Sequence, residues 1–249
     1  MAEIQFHDRV DKPRLAYRHH QGRGPTLVFL PGYMSDMSGS KAEAIIAYAE
    51  AEGRGCLLLD YAGCGESGGD FEAQRLTDWR DDVLDLVNAL VLGPVVLVGS
   101  SMGGWLMLLC ALAAPERVAA LVGIAAAPDF TDWGFTQAEK LAILRDGRLE
   151  QPSDYADTPT ITTRRFFESG EASRMLGTTI AIDCPVRLIH GQNDRDVPWE
   201  YSVRLARQLR SADVHAMLVK DGDHRLSRIA DIARMLAQLE WLLDSLEEG

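Results

Sequence analysis

Short apolar runs recur along the chain without the alternation of apolar and polar positions that marks a half-exposed strand. Continuous apolarity of this kind is typical of strands that are covered on both faces. The runs predict strands at residues 27–30, 56–60, 94–99, 118–126, 186–190 and 214–219.

Longer stretches with helical character lie between these runs. They predict helices at residues 40–52, 77–92, 104–113, 199–210 and 225–246. Because strands and helices alternate, we expect the α/β class, with a mostly parallel central sheet and helices on both of its faces. Residues 4–20 are expected to add an antiparallel edge to this sheet.

One segment, residues 129–179, breaks the alternation, and we call it the insertion. It is polar and irregular, with one predicted helix at residues 137–145, and it carries aromatic residues that need burial. A segment of this size between two strands is more typical of a lid or cap than of a linker. The sequence therefore predicts a single domain over residues 1–249 with a lid at about 129–179.

Charge limits the partners that the chain can have. Its 249 residues include 37 acidic side chains against 25 lysines and arginines, a net charge of −12. Nucleic acids and anionic lipids both need clustered positive charge, so both are disfavoured as partners.

The apolar stretches at residues 105–114 and 118–127 fall short of the roughly 20 residues that a membrane span needs. Residues 1–12 lack the features of a secretory signal or a mitochondrial presequence, which predicts a cytoplasmic protein.

The segment VGSSMGGW, residues 98–105, points to a catalytic serine. A strand that runs through Gly-x-Ser-x-Gly into a helix places the serine on a strained turn, with its hydroxyl exposed at the edge of the sheet. Ser101 has this spacing, with Gly99 and Gly103 on either side, whereas Ser100 lacks glycines at those positions. We therefore predict Ser101 as a nucleophile. The alternative is a glycine-rich turn that only packs a helix against a strand.

A serine hydroxyl is a weak nucleophile at neutral pH and needs a neighbouring base. His224 directly follows the predicted strand 214–219, so it should lie at the same edge of the sheet as Ser101. We predict His224 as this base. His190, at the end of another predicted strand, is interpreted as structural.

The base in turn needs a carboxylate that orients it. The loop after the predicted strand 186–190 offers Asp194 and Asp196, and Asp129 is a third candidate. Either residue of the loop gives the chain order Ser, Asp, His, which is the order of an α/β-hydrolase.

Acyl transfer also needs N–H donors for the developing oxyanion, each worth roughly 3 to 4 kcal/mol. The backbone N–H of Met102, next after the nucleophile, is one expected donor. The loop PGYMSD after residue 30 turns the chain so that the backbone N–H of Tyr33 is the other.

Five motifs together resemble the α/β-hydrolase family across the whole chain, in the family's order. They are PGYMSD, DYAGCGESGG, GSSMGGW, HGQNDRDVP and DGDHR. The longer runs LPGYMSDMSGSKA and GSSMGGWLMLLCA resemble a mitochondrial subgroup with acyl-protein thioesterase and mycophenolic acid acyl-glucuronide esterase activity. This resemblance favours Asp194 as the orienting acid. It implies hydrolysis by Ser101, Asp194 and His224, and the missing presequence indicates a bacterial relative of the subgroup.

The expected substrate is a small-molecule acyl ester or thioester, or an S-acylated protein, and the reaction needs no metal or organic cofactor. Trp133 and Phe166 of the insertion are candidates for an acyl pocket, and Arg164 or Arg165 for contact with a substrate carboxylate. The alternative is that the aromatic residues anchor the insertion and the arginines face solvent.

Other functions fit the same motifs. A general carboxylesterase or a perhydrolase would use the same triad, and a ligand-binding protein with slow turnover could keep it. A dehalogenase of this fold is disfavoured, because it would need an acidic nucleophile in place of Ser101.

Overall fold

The structure is a computed structural model that describes residues 2–153 and 158–247, so residues 154–157 of the predicted insertion lie outside the described residues. The strands are β1 (Gln5–Arg9), β2 (Lys12–His20), β3 (Arg23–Leu30), β4 (Arg54–Leu59), β5 (Val95–Ser100), β6 (Val118–Ile124), β7 (Arg148–Gln151), β8 (Thr160–Thr163), β9 (Val186–Gly191) and β10 (Val214–Val219). The helices are α1 (Ser40–Glu52), α2 (Leu76–Leu90), α3 (Met102–Ala113), α4 (Phe130–Trp133), α5 (Gln137–Asp146), α6 (Arg164–Ala172), α7 (Glu200–Gln208) and α8 (Ile229–Glu247).

Eight of the strands in the described residues form one sheet, in the order β1-β2-β4-β3-β5-β6-β9-β10. From β4 to β10 all neighbouring strands are parallel. At the other end, β2 pairs antiparallel with β4, and β1 pairs antiparallel with β2. The predicted class, a mostly parallel sheet with an antiparallel edge from residues 4–20, is confirmed.

The pattern of burial follows from the two layers of helices. Helices α1 and α8 cover one face of the sheet, where Ile45 and Leu239 join the core, and α2 and α3 cover the other, where Trp79 and Trp105 are buried. Every residue of β4, β5 and β9 is consequently buried, as continuous apolarity predicts. For β10 the predicted strand is present, but the predicted burial on both faces is wrong. Its residues are largely exposed or half-buried because it is the outermost strand. No helix in the described ranges combines the length and the apolar character that crossing a bilayer requires.

The insertion lies between β6 and β9 and contains α4, α5, the antiparallel pair β7 and β8, and α6. Its predicted helix is α5, which begins after Thr136 with a capping box to Glu139. The first and last parts of the insertion are joined through Asp129, which is buried. Its carboxylate accepts hydrogen bonds from the backbone N–H groups of Met175 (2.9 Å) and Leu176 (2.8 Å).

Candidate active site

Ser101 lies on the sharp turn between β5 and α3. Its backbone has φ 54° and ψ −118°, a conformation that a non-glycine residue adopts only when its surroundings enforce it. Hydrogen bonds supply that constraint. The Ser101 N–H donates to the Ile124 carbonyl (2.9 Å), and the Ser101 carbonyl accepts from the N–H groups of Gly104 (2.9 Å) and Ala127 (3.0 Å).

The glycines of the motif are required by close backbone packing around this turn. A Cβ at Gly99 would lie 2.3 Å from the Gly103 carbonyl oxygen. A Cβ at Gly103 would lie 2.0 Å from the Leu30 carbonyl oxygen. Any side chain at either position would therefore displace backbone, and the helix after Ser101 could not approach the sheet as closely.

The loops after β9 and β10 bring a histidine and an aspartate to Ser101. His224 Nε2 lies 3.1 Å from Ser101 Oγ, and His224 Nδ1 lies 2.8 Å from Asp194 Oδ2. The other carboxylate oxygen, Asp194 Oδ1, accepts from the N–H groups of Asp196 and Val197, both at 2.9 Å. The structure thus places the three residues predicted as the triad in one hydrogen-bonded chain.

The electrostatics keep Asp194 ionised. Burial of its side chain would by itself raise the pKa of Asp194, but hydrogen bonds from His190 and His224 hold that pKa well below its usual range. A carboxylate that stays charged at neutral pH fixes the proton of His224 on Nδ1, so that Nε2 is free to accept the Ser101 proton.

Two residues next to the hydrogen-bonded triad were not predicted from the sequence to have a role in catalysis. His190, fully buried on β9, has its Nε2 3.1 Å from the same Asp194 oxygen that His224 contacts. Lys41 Nζ on α1 donates to the carbonyl of Arg225 (2.6 Å), next to His224, and burial together with Arg225 lowers the pKa of Lys41 to about 8. The signal for His190 was its position in HGQND before Asp194, whereas Lys41 stands in no motif that points to His224.

Of the two residues whose amides are predicted to bind the oxyanion, Met102 is the neighbour of Ser101 in the chain and Tyr33 follows a glycine packed close to Ser101. Met102 is the first residue of α3, and a Cβ on Gly32, next to Tyr33, would come within 3.4 Å of Ser101 Cβ. Within the described part of the chain, no acceptor is hydrogen bonded to the N–H of Tyr33 or of Met102. Neither N–H is thus committed to a backbone acceptor among the described residues, as an oxyanion donor requires.

The side chain of Tyr33 links this loop to the insertion. Its hydroxyl donates to the Ile161 carbonyl (2.6 Å), and its ring lies 4.8 Å from the ring of Phe166 and 6.0 Å from that of Phe130. Phe166 is 1% exposed, so this predicted substrate contact sits inside an aromatic cluster.

The other three predicted substrate contacts lie elsewhere on the insertion. Trp133 stacks on Tyr201 of α7 with ring centroids 4.2 Å apart, and its Nε1 donates to the Pro128 carbonyl. Arg164 and Arg165 are exposed and border an open groove. The acidic side chains of this groove are Glu72, Asp146 and Glu168.

The structure separates the candidates for the orienting acid. Asp194 is the one whose carboxylate contacts His224. Asp129 is committed to the two amides at the end of the insertion, and Asp196 is exposed with its N–H bonded to Asp194. Among the described residues, Asp194, Asp196 and His224 form a group that could ligate a metal, with ligand atoms within 4.8 Å of one another. Two members of this group, Asp194 and His224, belong to the predicted triad.

Comparison with known proteins points to one family. The model of the family described as "Alpha/beta hydrolase family" matches residues 27–239. The human protein named palmitoyl-protein thioesterase ABHD10, mitochondrial, is 39% identical over 98% of this chain and 81% of its own length. The structure of alpha/beta hydrolase domain-containing protein 10 from mouse superimposes with a TM-score of 0.92, at 37% identity, over 98% of this chain and all of its own. The crystal structure of a protein from Agrobacterium vitis S4 has a TM-score of 0.90 and 34% identity over 97% of this chain and 99% of its own.

These names contradict the cytoplasmic location predicted from the sequence. The human relative is named as a mitochondrial protein, as are the orangutan and cattle relatives, both also 39% identical to this chain. The prediction is wrong because it rested only on the lack of a targeting pattern within residues 1–12, and such a lack does not determine the compartment.

Proposed function

The chain belongs to the alpha/beta hydrolase family, and we propose that it is a serine hydrolase that cleaves acyl thioesters and esters through Ser101, His224 and Asp194. The family, the fold and the general activity, hydrolysis of esters or thioesters, agree with what the motifs predict. The observation that carries the assignment of residues is the chain of contacts from Ser101 Oγ to His224 (3.1 Å) and from His224 to Asp194 (2.8 Å).

In the proposed reaction Ser101 Oγ attacks the acyl carbonyl carbon while His224 Nε2 accepts the hydroxyl proton. The N–H groups of Tyr33 and Met102 stabilise the oxyanion. His224 then donates its proton to the leaving thiolate or alkoxide, and an acyl-serine remains. Water, deprotonated by the same imidazole, attacks this intermediate and releases the carboxylic acid.

A long-chain acyl thioester is the proposed substrate class. The names of the mammalian relatives supply the chemistry, since they are called palmitoyl-protein thioesterases. An apolar environment next to the oxyanion loop supports it, because the rings of Tyr33, Phe130 and Phe166 pack together there. We assign the insertion the part of a lid in which the half-buried Phe130 meets the acyl chain and the buried Phe166 packs behind it, while Arg164 and Arg165 stay candidates for an acidic group on the substrate.

The decisive measurement compares kcat/KM for a palmitoyl thioester and the matching palmitoyl oxyester. A thioester preference beyond the intrinsic difference in reactivity supports the proposal. Equal rates, or a preference for the oxyester, would make the protein a general carboxylesterase.

Ser101→Ala is the blank for this assay, and Ser100→Ala is its matched control. Both serines lie at the end of β5, but Ser100 is buried, whereas Ser101 is the one in contact with His224. Ser101→Ala should lower kcat by about 10³- to 10⁶-fold and abolish labelling by a fluorophosphonate. If Ser101→Ala keeps most of its activity, the assignment of the nucleophile is wrong.

A further inference from the structure

We propose that His190 is a positioning residue of the active site, which holds the Asp194 carboxylate in the orientation that faces His224. This inference rests on the proposed function. Because His190 is fully buried and contacts Asp194 rather than Ser101, its effect on catalysis would pass through that carboxylate.

The position of one proton follows from the neighbours of the imidazole. His190 Nε2 faces two atoms that can only accept, the Val197 carbonyl oxygen at 3.0 Å and Asp194 Oδ2 at 3.1 Å. Nε2 therefore carries a hydrogen. The other nitrogen, Nδ1, lies 2.7 Å from Ser202 Oγ, a hydroxyl that can donate to a neutral ring or accept from a charged one. In both protonation states Nε2 donates toward Asp194.

These contacts surround the carboxylate with donors. Asp194 Oδ1 is held by the N–H groups of Asp196 and Val197, and Oδ2 lies between the two imidazoles of His190 and His224. The two backbone N–H groups hold Oδ1. His190 adds a donor to Oδ2 from the side of the strand, so that this oxygen is held as well when it accepts from His224.

The two residues differ in how rigidly they are supported. Asp194 stands in the loop after β9, whereas His190 belongs to β9 itself, which pairs with β6 on one side and β10 on the other. His190 Nε2 bonds both to the start of the loop, at Asp194, and to its end, at Val197. His190 thus ties the loop that carries Asp194 to the central sheet at two points.

The test compares His190→Leu with His190→Gln. Leucine has no donor, whereas the glutamine amide can donate where Nε2 does. We expect His190→Leu to lower kcat for the thioester by about 10- to 100-fold with KM within about threefold, and His190→Gln to recover at least half of that loss on a logarithmic scale. Equal losses in both variants, or a rise of KM with kcat unchanged, would overturn the proposal.

A second comparison asks whether His190 acts through Asp194. In an Asp194→Asn background, His190→Leu should cost less than about threefold further, because the carboxylate that it positions is gone. Multiplicative losses in the double variant would show an independent role and contradict the proposal. If the leucine variant does not fold, Ser202→Ala, which removes the support at Nδ1 only, takes its place: kcat should fall by about 3- to 10-fold in the parent protein and by less than about twofold in the Asp194→Asn background. Equal falls in the two backgrounds would contradict the proposal.

Failure of this inference can be told apart from failure of the proposed function. If Ser101→Ala is inactive and His190→Leu is as active as the parent protein, the function stands and His190 is structural only. If Ser101→Ala is active, the nucleophile itself is misassigned, whatever the His190 variants do.

Discussion

Two regions of the candidate site are built from different interactions. In one region His224, Asp194 and His190 form a hydrogen-bonded chain on the loops after β9 and β10, which we call the polar wall. In the other region the rings of Tyr33, Phe130 and Phe166 pack against one another where the loop after β3 meets the insertion, and we call this cluster the aromatic wall.

This difference predicts how each wall responds to substitution. Hydrogen bonds to a buried charge are directional, and an atom left without its partner is costly. Packing of apolar rings is nondirectional, and substitutions that keep the volume cost less. The polar wall should therefore determine the rate of the chemical step, and the aromatic wall should determine which acyl groups are accepted.

The strongest test of the polar wall is Asp194→Asn. An amide next to His224 Nδ1 no longer holds the imidazole in the correct tautomer, so kcat is expected to fall by about 10⁴-fold with the fold intact. Steady-state kinetics and the rate of fluorophosphonate labelling measure the loss. Asp196→Asn, two residues away and exposed, is the matched control. If it is the more damaging of the two, Asp196 is the orienting acid.

The same carboxylate should make stability depend on pH. Because the pKa of Asp194 is lower in the folded chain than the ordinary value of 3.8, its ionised form stabilises the fold above that pH. This contribution is lost as the pH falls toward the folded-state pKa. The difference in unfolding free energy between the parent protein and Asp194→Asn should thus change between about pH 4 and pH 2. Urea titrations at several pH values measure it, and a difference independent of pH across that window would contradict the assignment.

Asp129→Ala tests the anchor of the insertion and, with it, the aromatic wall. The substitution leaves the buried N–H groups of Met175 and Leu176 without their acceptor, which should lower the free energy of unfolding by about 2 to 4 kcal/mol. Asp129→Asn keeps one acceptor oxygen and should lose less. We expect fluorophosphonate labelling of Ser101 to persist while the preference for long acyl chains weakens. Loss of labelling in a folded variant would mean that the two walls are not separable.

The sequence predicted the polar wall better than the aromatic wall. Ser101, Asp194 and His224 each follow a strand of the parallel part of the sheet, and parallel strands bring their carboxyl ends to one edge, so local patterns were enough to place all three at that edge. The choice of Asp194 over Asp196 needed the resemblance to a known family as well. No such rule governs Phe166 or Trp133, whose positions depend on the path of an irregular insertion. Trp133 consequently stacks on Tyr201 of α7, a contact that no local pattern indicates.

Phe166→Leu probes the aromatic wall directly. Leucine keeps the site apolar but removes ring contacts with Tyr33 and Phe130, at a cost in stability of about 1 to 1.5 kcal/mol. We expect KM for palmitoyl and shorter acyl thioesters to change by different factors while kcat stays within about threefold. A series of acyl chain lengths measures this shift. A uniform fall in kcat across the series would assign Phe166 to the chemical step instead.

Tyr33→Phe should have the smallest effect, because it removes only the hydroxyl group and keeps both the backbone N–H and the ring. The proposed oxyanion donor is its backbone N–H, which phenylalanine retains, and the ring that packs on Phe166 also remains. Only the hydrogen bond to the Ile161 carbonyl is lost, worth about 1 kcal/mol. If that bond serves only to hold the insertion, thermal stability should fall slightly while kcat stays within about twofold of the parent value. A much larger fall in kcat would mean that the insertion sets the position of the oxyanion donor, and the two walls would then be coupled through Tyr33.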